Sequence, residues 1–294
     1  MEQFRELLLI YITTPIYAIV ILIEMFFSHR RKLKLYSFSG LLENIYLTSL
    51  NMGLDILMRT TCLFVLNYFY QFRFIDSYNN VFVYWILLFL SEDFMYYWLH
   101  RIDHYCRLFW AVHVTHHNSE EYNLTVGFRS SVFQPMYRFL YFIPLSFLGF
   151  KGIDIMFIYS ATQIFGILVH TQTVKKLGVL EYFLVTPSHH RVHHASNVRY
   201  LDKNMGMVLI IWDKLFGTFQ KELDNDPVQY GLTTNINTHN PFTVVFHEWG
   251  NIIKDILKPS SIKAKFMYVF GPPGWSHDGS KQTSAQLRSQ LNQD

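Results

Sequence analysis

Histidine carries the chemistry that can be read from this 294-residue chain: ten of its fourteen histidines fall between positions 100 and 194. They are ordered as well as dense. His100 and His104 form H-x-x-x-H; His113, His116 and His117 form H-x-x-H-H; His190, His193 and His194 repeat H-x-x-H-H. Residues three or four apart share a helix face, so each box aims two imidazoles at one place and the adjacent third extends the set toward a neighbouring site. A zinc site uses three or four protein ligands, so eight converging imidazoles suffice for two metal ions in one pocket. His170, closing an apolar run, is a ninth candidate, as a ligand or as a partner behind one. His189 is an alternative to His190, although adjacent side chains diverge on a helix.

Four other residues are candidates for supporting the rings. Glu92 and Asp93 precede His100 by about two helical turns, roughly 10–12 Å at ~1.5 Å per residue, where a carboxylate can orient a histidine N–H. Asn123 and Arg129 follow the second box, and Arg129 is suited to a phosphate or polar lipid head. Cys62 and Cys106 make no disulfide framework and no C-x-x-C. Neither a Gly-rich phosphate loop nor a Ser-His-Asp order is present, which argues against nucleotide or hydrolase chemistry. The net charge of +3 comes from scattered Lys and Arg, so no nucleic-acid partner is expected.

The elements that position these residues are apolar. The chain is 50% hydrophobic and 16% charged, against roughly 25% charged in soluble domains. Lipid is the simpler solvent for so much apolar surface. The first run, Leu7 to Phe27, reaches roughly 31 Å, enough for a hydrocarbon core of roughly 30 Å. The basic cluster Arg30, Arg31, Lys32 and Lys34 follows it instead of preceding it, unlike a signal peptide. Weaker runs follow at Ile45–Tyr70, Val81–Leu99, Val132–Phe150 and Ile153–Val169. By the positive-inside bias, residues 28–44 are cytoplasmic and alternation brings every histidine box to that same face. The expectation is an all-α integral membrane protein, multi-pass, with four to five transmembrane or re-entrant helices under a cytoplasmic, histidine-rich dimetal cap. Residues 1–80 would be N-terminal transmembrane helices, 81–222 the catalytic domain, 223–275 a cytoplasmic extension and 276–294 a flexible tail. Met205–Phe219 reads as an interfacial amphipathic element too short to span.

Imidazole suits zinc, iron, copper and nickel alike. Ligands at the ends of apolar helices place the metal beside acyl chains, whose C–H bonds offer nothing to hydrolyse. A redox metal with O2 fits better than zinc hydroxide, and iron is the expectation, with zinc a possible occupant of purified protein.

The boxes in their settings YYWLHRIDH, WAVHVTHHNSEEYN and TPSHHRVHH resemble the fatty acid hydroxylase and sterol desaturase superfamily of integral-membrane di-iron oxygenases. The segments HHNSEEYNLTVGFRSSV, DKNMGMVLIIWDKLFGTF, YGLTTNINTHNP and FGPPGW are similar to its alkylglycerol monooxygenase branch and that branch's bacterial members. The resemblance spans roughly residues 90 to 275. It implies two iron ions, O2, a membrane lipid substrate and a hydroxylated C–H bond, the ether-linked carbon of an alkylglycerol in that branch. The implied reductant is tetrahydrobiopterin there and a cytochrome or ferredoxin elsewhere. Two positions depart from the branch: Tyr105 replaces an acidic residue after His104, and His170-Thr171-Gln172 replaces His-Thr-Glu. The reductant therefore stays open between a pterin and an electron-transfer protein. A lipid or sterol desaturase shares the same metal core; a metal transporter or a non-redox zinc protein are the readings outside this class.

Overall fold

Two long apolar helices open the chain, α1 (Glu2–Arg30) and α2 (Phe38–Tyr70), the second capped by Ser37, whose side chain accepts from the Gly40 amide. They are the two described helices long and apolar enough to cross a bilayer. Their outward faces carry Ile10, Tyr11, Leu22, Ile56, Leu57 and Phe64, each more than half exposed. In water this stripe would be a large unfavourable apolar surface; in lipid it costs nothing.

The computed structural model describes residues 2–291 and is all-helical: among the described residues the β-pairing is limited to isolated bridges, Leu184 with Leu209 and Ala195 with Tyr230. Asn80 caps α3 (Val81–Tyr105), which changes character along its length. Val81, Phe82, Val83 and Ile86 face outward, whereas Glu92, Asp93, His100, Asp103 and His104 are buried. α4 (Arg107–His117) follows after a break at Cys106. Next come α5 (Arg138–Phe147) and α6 (Gly152–Leu168), joined by a turn at Gly149. That glycine has φ of 85°, and a Cβ there would meet the Ile75 carbonyl oxygen at 2.2 Å.

The run Val132–Phe150 holds no helix long enough to cross a bilayer. A 3-10 turn at Gln134–Met136, containing Pro135, precedes α5 and leaves it ten residues long, about 15 Å at ~1.5 Å per residue. Gln134, in that turn, donates to Asp103 at 2.8 Å, and Ser131, just before the run, meets His113 Nδ1 at 2.7 Å.

α1 packs on α6, α2 on α5 and α6, and α3 on α4, α5 and α6. Leu66, Leu88, Phe142, Leu145, Phe150 and Ile155 fill the space between α2, α3, α5 and α6. The cap over this bundle is built from α4, α7 (Pro187–His193), α8 (Ile211–Leu215), α9 (Pro241–Ile256) and α10 (Ile262–Phe270). Arg107, at the start of α4, ties it to α9 through Glu248 at 2.7 Å and Asp255 at 2.8 Å. Met205–Phe219 is no continuous amphipathic helix: Asp213 accepts from the Met205 and Gly206 amides, folding the stretch back on itself and leaving only α8 helical.

The expected flexible tail holds α11 (Ser284–Leu291). Its start is a capping arrangement: the Gln286 side chain accepts from the Thr283 amide at 2.8 Å, and Thr283 Oγ1 accepts from the Gln286 amide at 3.3 Å.

Asp93 joins bundle to cap. Its carboxylate accepts from the Val208 amide (2.9 Å), the Leu209 amide (3.1 Å) and Trp212 Nε1 (2.9 Å). Asp93→Ala leaves three donors without an acceptor, at roughly 1–3 kcal/mol each. We expect a loss of several kcal/mol, seen as a lowered melting temperature of detergent-solubilised protein.

Candidate metal centre

Each imidazole is positioned by an element, and six of the nine are also held by a hydrogen bond at Nδ1. His100 and His104 lie one turn apart at the buried end of α3, and His113, His116 and His117 end α4. His190 and His193 lie on α7 with His194 at its C-cap. His100 Nδ1 donates to the Met205 carbonyl (2.8 Å), His116 Nδ1 to Arg129 (2.7 Å), His170 Nδ1 to Gly166 (2.7 Å) and His193 Nδ1 to Lys203 (3.0 Å). A carbonyl oxygen only accepts, so in these four rings the proton sits on Nδ1 and Nε2 keeps its lone pair. His104 Nδ1 faces the Asp202 carboxylate at 3.2 Å, and His113 Nδ1 pairs with Ser131 Oγ at 2.7 Å.

The free nitrogens converge. His100, His104, His113, His117 and His193 form one group and His116, His170, His190 and His194 a second, with ligand atoms inside 4.8 Å of one another in each. The groups share a wall: the rings of His117 and His194 stack at 4.4 Å. His170 Nε2 lies 2.9 Å from His190 Nε2, 3.1 Å from His194 Nε2 and 3.3 Å from His116 Nε2.

These contacts test whether metal fits. His170 and His116 both present unprotonated Nε2 atoms to each other, and two lone pairs at that distance repel. A cation between them turns repulsion into ligation, and metal–nitrogen bonds of roughly 2.0–2.1 Å put neighbouring donors roughly 3.0–3.4 Å apart. Nε2 of His104 and of His193 is likewise buried with no hydrogen-bond partner. The donor set fits two imidazole-binding metal ions, one of five histidines and one of four.

Protonation does not relieve the crowding. Burial and neighbouring imidazoles hold His113, His117, His190, His193 and His194 well below the ordinary histidine value. Burial pushes His116 down to about 4.

His189 stands outside both groups. Its Nδ1 lies 3.1 Å from the Leu184 carbonyl oxygen, and the ring belongs to the capping box that starts α7. Arg129 faces no lipid head. It is 1% exposed, with its guanidinium spent on Glu43, Asn44, Asn118 and the Thr115 carbonyl. Its backbone carbonyl is what serves the site, through His116. Asn123 donates to the Leu35 carbonyl at 2.6 Å and touches no histidine. Glu92 meets Thr162 on α6, and Asp93 meets Val208, Leu209 and Trp212, so neither orients a ring. Of the two departures, Gln172 donates to the Tyr122 carbonyl, and the Tyr105 ring lies under Arg101 with its hydroxyl near Arg288 and Asp202.

Asp103 is the residue that motif reading passed over. Fully buried between the two histidines of the first box, it accepts from Gln134 Nε2 (2.8 Å) and Tyr137 Oη (2.7 Å), and burial raises its carboxyl to about 7. An acidic residue inside H-x-x-x-H was the available signal. Glu24, inside the first apolar run, is the other. It accepts from Tyr36, Thr171 and the Leu124 amide and ties α1 to the loops beside the second and third boxes.

Residues 85–218 match the fatty acid hydroxylase family model, a stretch that includes all nine clustered histidines. Over that stretch, a little under half of the chain, it is similar to the fatty acid hydroxylase family. An alkylglycerol monooxygenase of Homo sapiens is 43% identical over 195 residues, covering 65% of this chain and 42% of the relative. One of Danio rerio is 36% identical over 240 residues, covering 79% and 53%. An ornithine lipid hydroxylase of Rhizobium tropici is 28% identical over 152 residues, covering 51% and 46%. This chain thus spans about half the length of the curated relatives it matches. No solved structure matches it.

Two outcomes are expected. His113→Ala and His193→Ala should each lower metal bound by the five-histidine group, and His170→Ala that of the four-histidine group, measured by elemental analysis of protein purified anaerobically. Metal-free protein should lose stability as pH falls from 6.5 toward 4, because the unfolded chain takes up protons that the buried rings refuse. Circular dichroism melts across that range check the sign.

Proposed function

We propose that this protein is a membrane-bound, O2-dependent di-iron monooxygenase that hydroxylates a C–H bond of a lipid, an alkylglycerol ether lipid being the first substrate to test. The observation that carries this reading is that the histidines are approached from two chemically different sides. One cavity, about 650 Å³, is lined by Leu9, Ile10, Tyr17, Met52, Phe128 and Ile164 and reaches His100, His113, His116, His170 and His190. Its size is that of a ligand pocket, and it lies among the helices whose outer faces suit lipid. The other, about 530 Å³, is lined by Thr233, Asn235, Glu248, Asn251 and Lys281 and reaches His104, His117 and His193.

The chain's own residues then have distinct tasks. The nine imidazoles would hold the ions, and the main-chain carbonyls at Nδ1 of His100, His116, His170 and His193 keep those four rings from turning. The apolar residues of α1, α2 and α6 align an acyl or alkyl chain against the histidine wall and exclude water from it. Bound iron would supply what side chains lack, the activation of O2 with electrons from a reductant. Net, R–H and O2 with two electrons and two protons give R–OH and water. At an ether-linked carbon the alcohol is a hemiacetal, which breaks to an aldehyde and a glycerol. The polar cavity is the side from which a pterin, or a cytochrome or ferredoxin, would deliver electrons.

We place the histidine cap on the cytoplasmic face of a multi-pass protein. The basic loop Arg30–Lys34 is on the same side as the cap, since Asn123 holds the Leu35 carbonyl at 2.6 Å and Glu121 meets the Ser37 amide at 3.2 Å.

Lipidomics of a host with and without the gene tests the activity. Depleted ether lipids support the alkylglycerol substrate, hydroxylated acyl chains with intact ether lipids retain the class and replace the substrate, and new double bonds point to desaturation. Zinc alone in anaerobically purified protein, with no O2 uptake on adding lipid and reductant, would refute the oxygenase reading.

A further inference from the structure

Four of the clustered histidines are held at Nδ1 by main-chain carbonyls, whereas His104 faces a carboxylate, Asp202, from the segment after the third box. Asp202 sits at a left-handed φ of 52°, which non-glycine residues rarely adopt, and is not set in place by helix geometry. What fixes it comes from the C-terminal helix. Arg288 of α11 donates to the carbonyl of Leu201 and places its guanidinium 3.9 Å from Asp202 Oδ2. His104 Nε2, at the far end of its ring, is one of the buried nitrogens with no hydrogen-bond partner.

The segment carrying Arg288 is itself built to stay there. The chain passes Gly274 so closely that a Cβ would meet the Gln282 carbonyl oxygen at 2.2 Å, and that glycine has φ of 80°. Lys281 reaches the Asp255 carboxylate at 2.8 Å, the same group that binds Arg107. Thr283 and Gln286 then start α11, and Ser284 and Leu287 wall the polar cavity at His104 and His193.

We propose that α11 is a positioning element of the five-histidine site, with Arg288 holding Asp202 and Asp202 orienting His104 toward the metal. This rests on the two-metal reading above. It assigns to residues 272–291, which lie outside the matched family segment, a part in assembling the centre. The four-histidine group makes no contact with this relay, so loss of Arg288 should weaken one of the two sites and spare the other.

The test uses cobalt(II) as the probe, titrated into the metal-free full-length protein in detergent and followed by its visible spectrum, with no lipid and no turnover. Wild type should take up two equivalents. Asp202→Asn should weaken one of them by about 10-fold or more, the range for partners of ligating histidines. Arg288→Ala should weaken the same one by about 2–5-fold, as for loss of a partly exposed ion pair, and Arg288→Lys, which keeps the charge, should weaken it less. His104→Ala identifies that equivalent by shifting the same spectral component. A chain ending after Ser280 should behave as Arg288→Ala; if that truncation unfolds, the point substitution, which deletes no backbone, decides. Wild-type affinity and spectrum in Arg288→Ala would overturn this inference and leave the metal reading standing. A wild-type chain that takes up no cobalt would overturn both.

Discussion

Nine imidazoles face one another with their basic nitrogens bare, and the rest of the molecule is arranged around that repulsion. Each ring must be kept neutral and kept from turning, and for six of them the second condition is met by a hydrogen bond at Nδ1, away from the crowded side. Burial supplies neutrality, since a protonated ring in this enclosure has neither water nor a close carboxylate in most cases. The hydrogen bonds at Nδ1 supply direction. Remove the bundle around the cap and the rings hydrate; remove the acceptors and they rotate.

This explains why the fold has so uneven a surface. α1 and α2 leave their outer faces apolar, and lipid replaces the protein partners those faces lack. α3 begins as such a helix and ends as part of the centre, with carboxylates and histidines buried in its last turns. One helix thereby carries the boundary between lipid and metal chemistry, and Asp93, near its middle, fastens the cap to the bundle at the level where the character changes.

Much of the centre was legible because its spacing obeys helix geometry. H-x-x-x-H at His100 and H-x-x-H-H at His113 and His190 can place their rings only on helix faces, and the end of an apolar run at His170 marked the ninth ring. What escaped reading was whatever depends on chain folding over distance. That Arg129 would spend its guanidinium on Glu43 and offer its carbonyl to His116 follows from how α2 crosses the loop, which no local pattern records. His189 stood as an alternative to His190, and the start of α7 points it toward the Leu184 carbonyl and away from the pocket. Hydrophobicity suggested a transmembrane or re-entrant helix at Val132–Phe150, and the turn at Gln134–Met136, with Pro135, shortens it to α5. The polar composition of the last residues read as a tail, although Thr283 and Gln286 carried a helix-start signal of the ordinary kind.

The acceptors that hold the rings have a further consequence. Met205, Arg129, Gly166 and Lys203 hold their histidines through carbonyl oxygens, which every amino acid possesses. At Met205 and Lys203 the acceptor does not depend on which side chain the residue carries, provided the backbone keeps its course. For Arg129, Lys203 and Met205, which lie in connecting segments, inserting or deleting a single residue there moves the acceptor and frees the ring. Much of the centre is thus specified by the lengths of its connecting segments rather than by their composition, and a lineage could rewrite those loops letter by letter, but not change their count, while keeping the same nest of histidines.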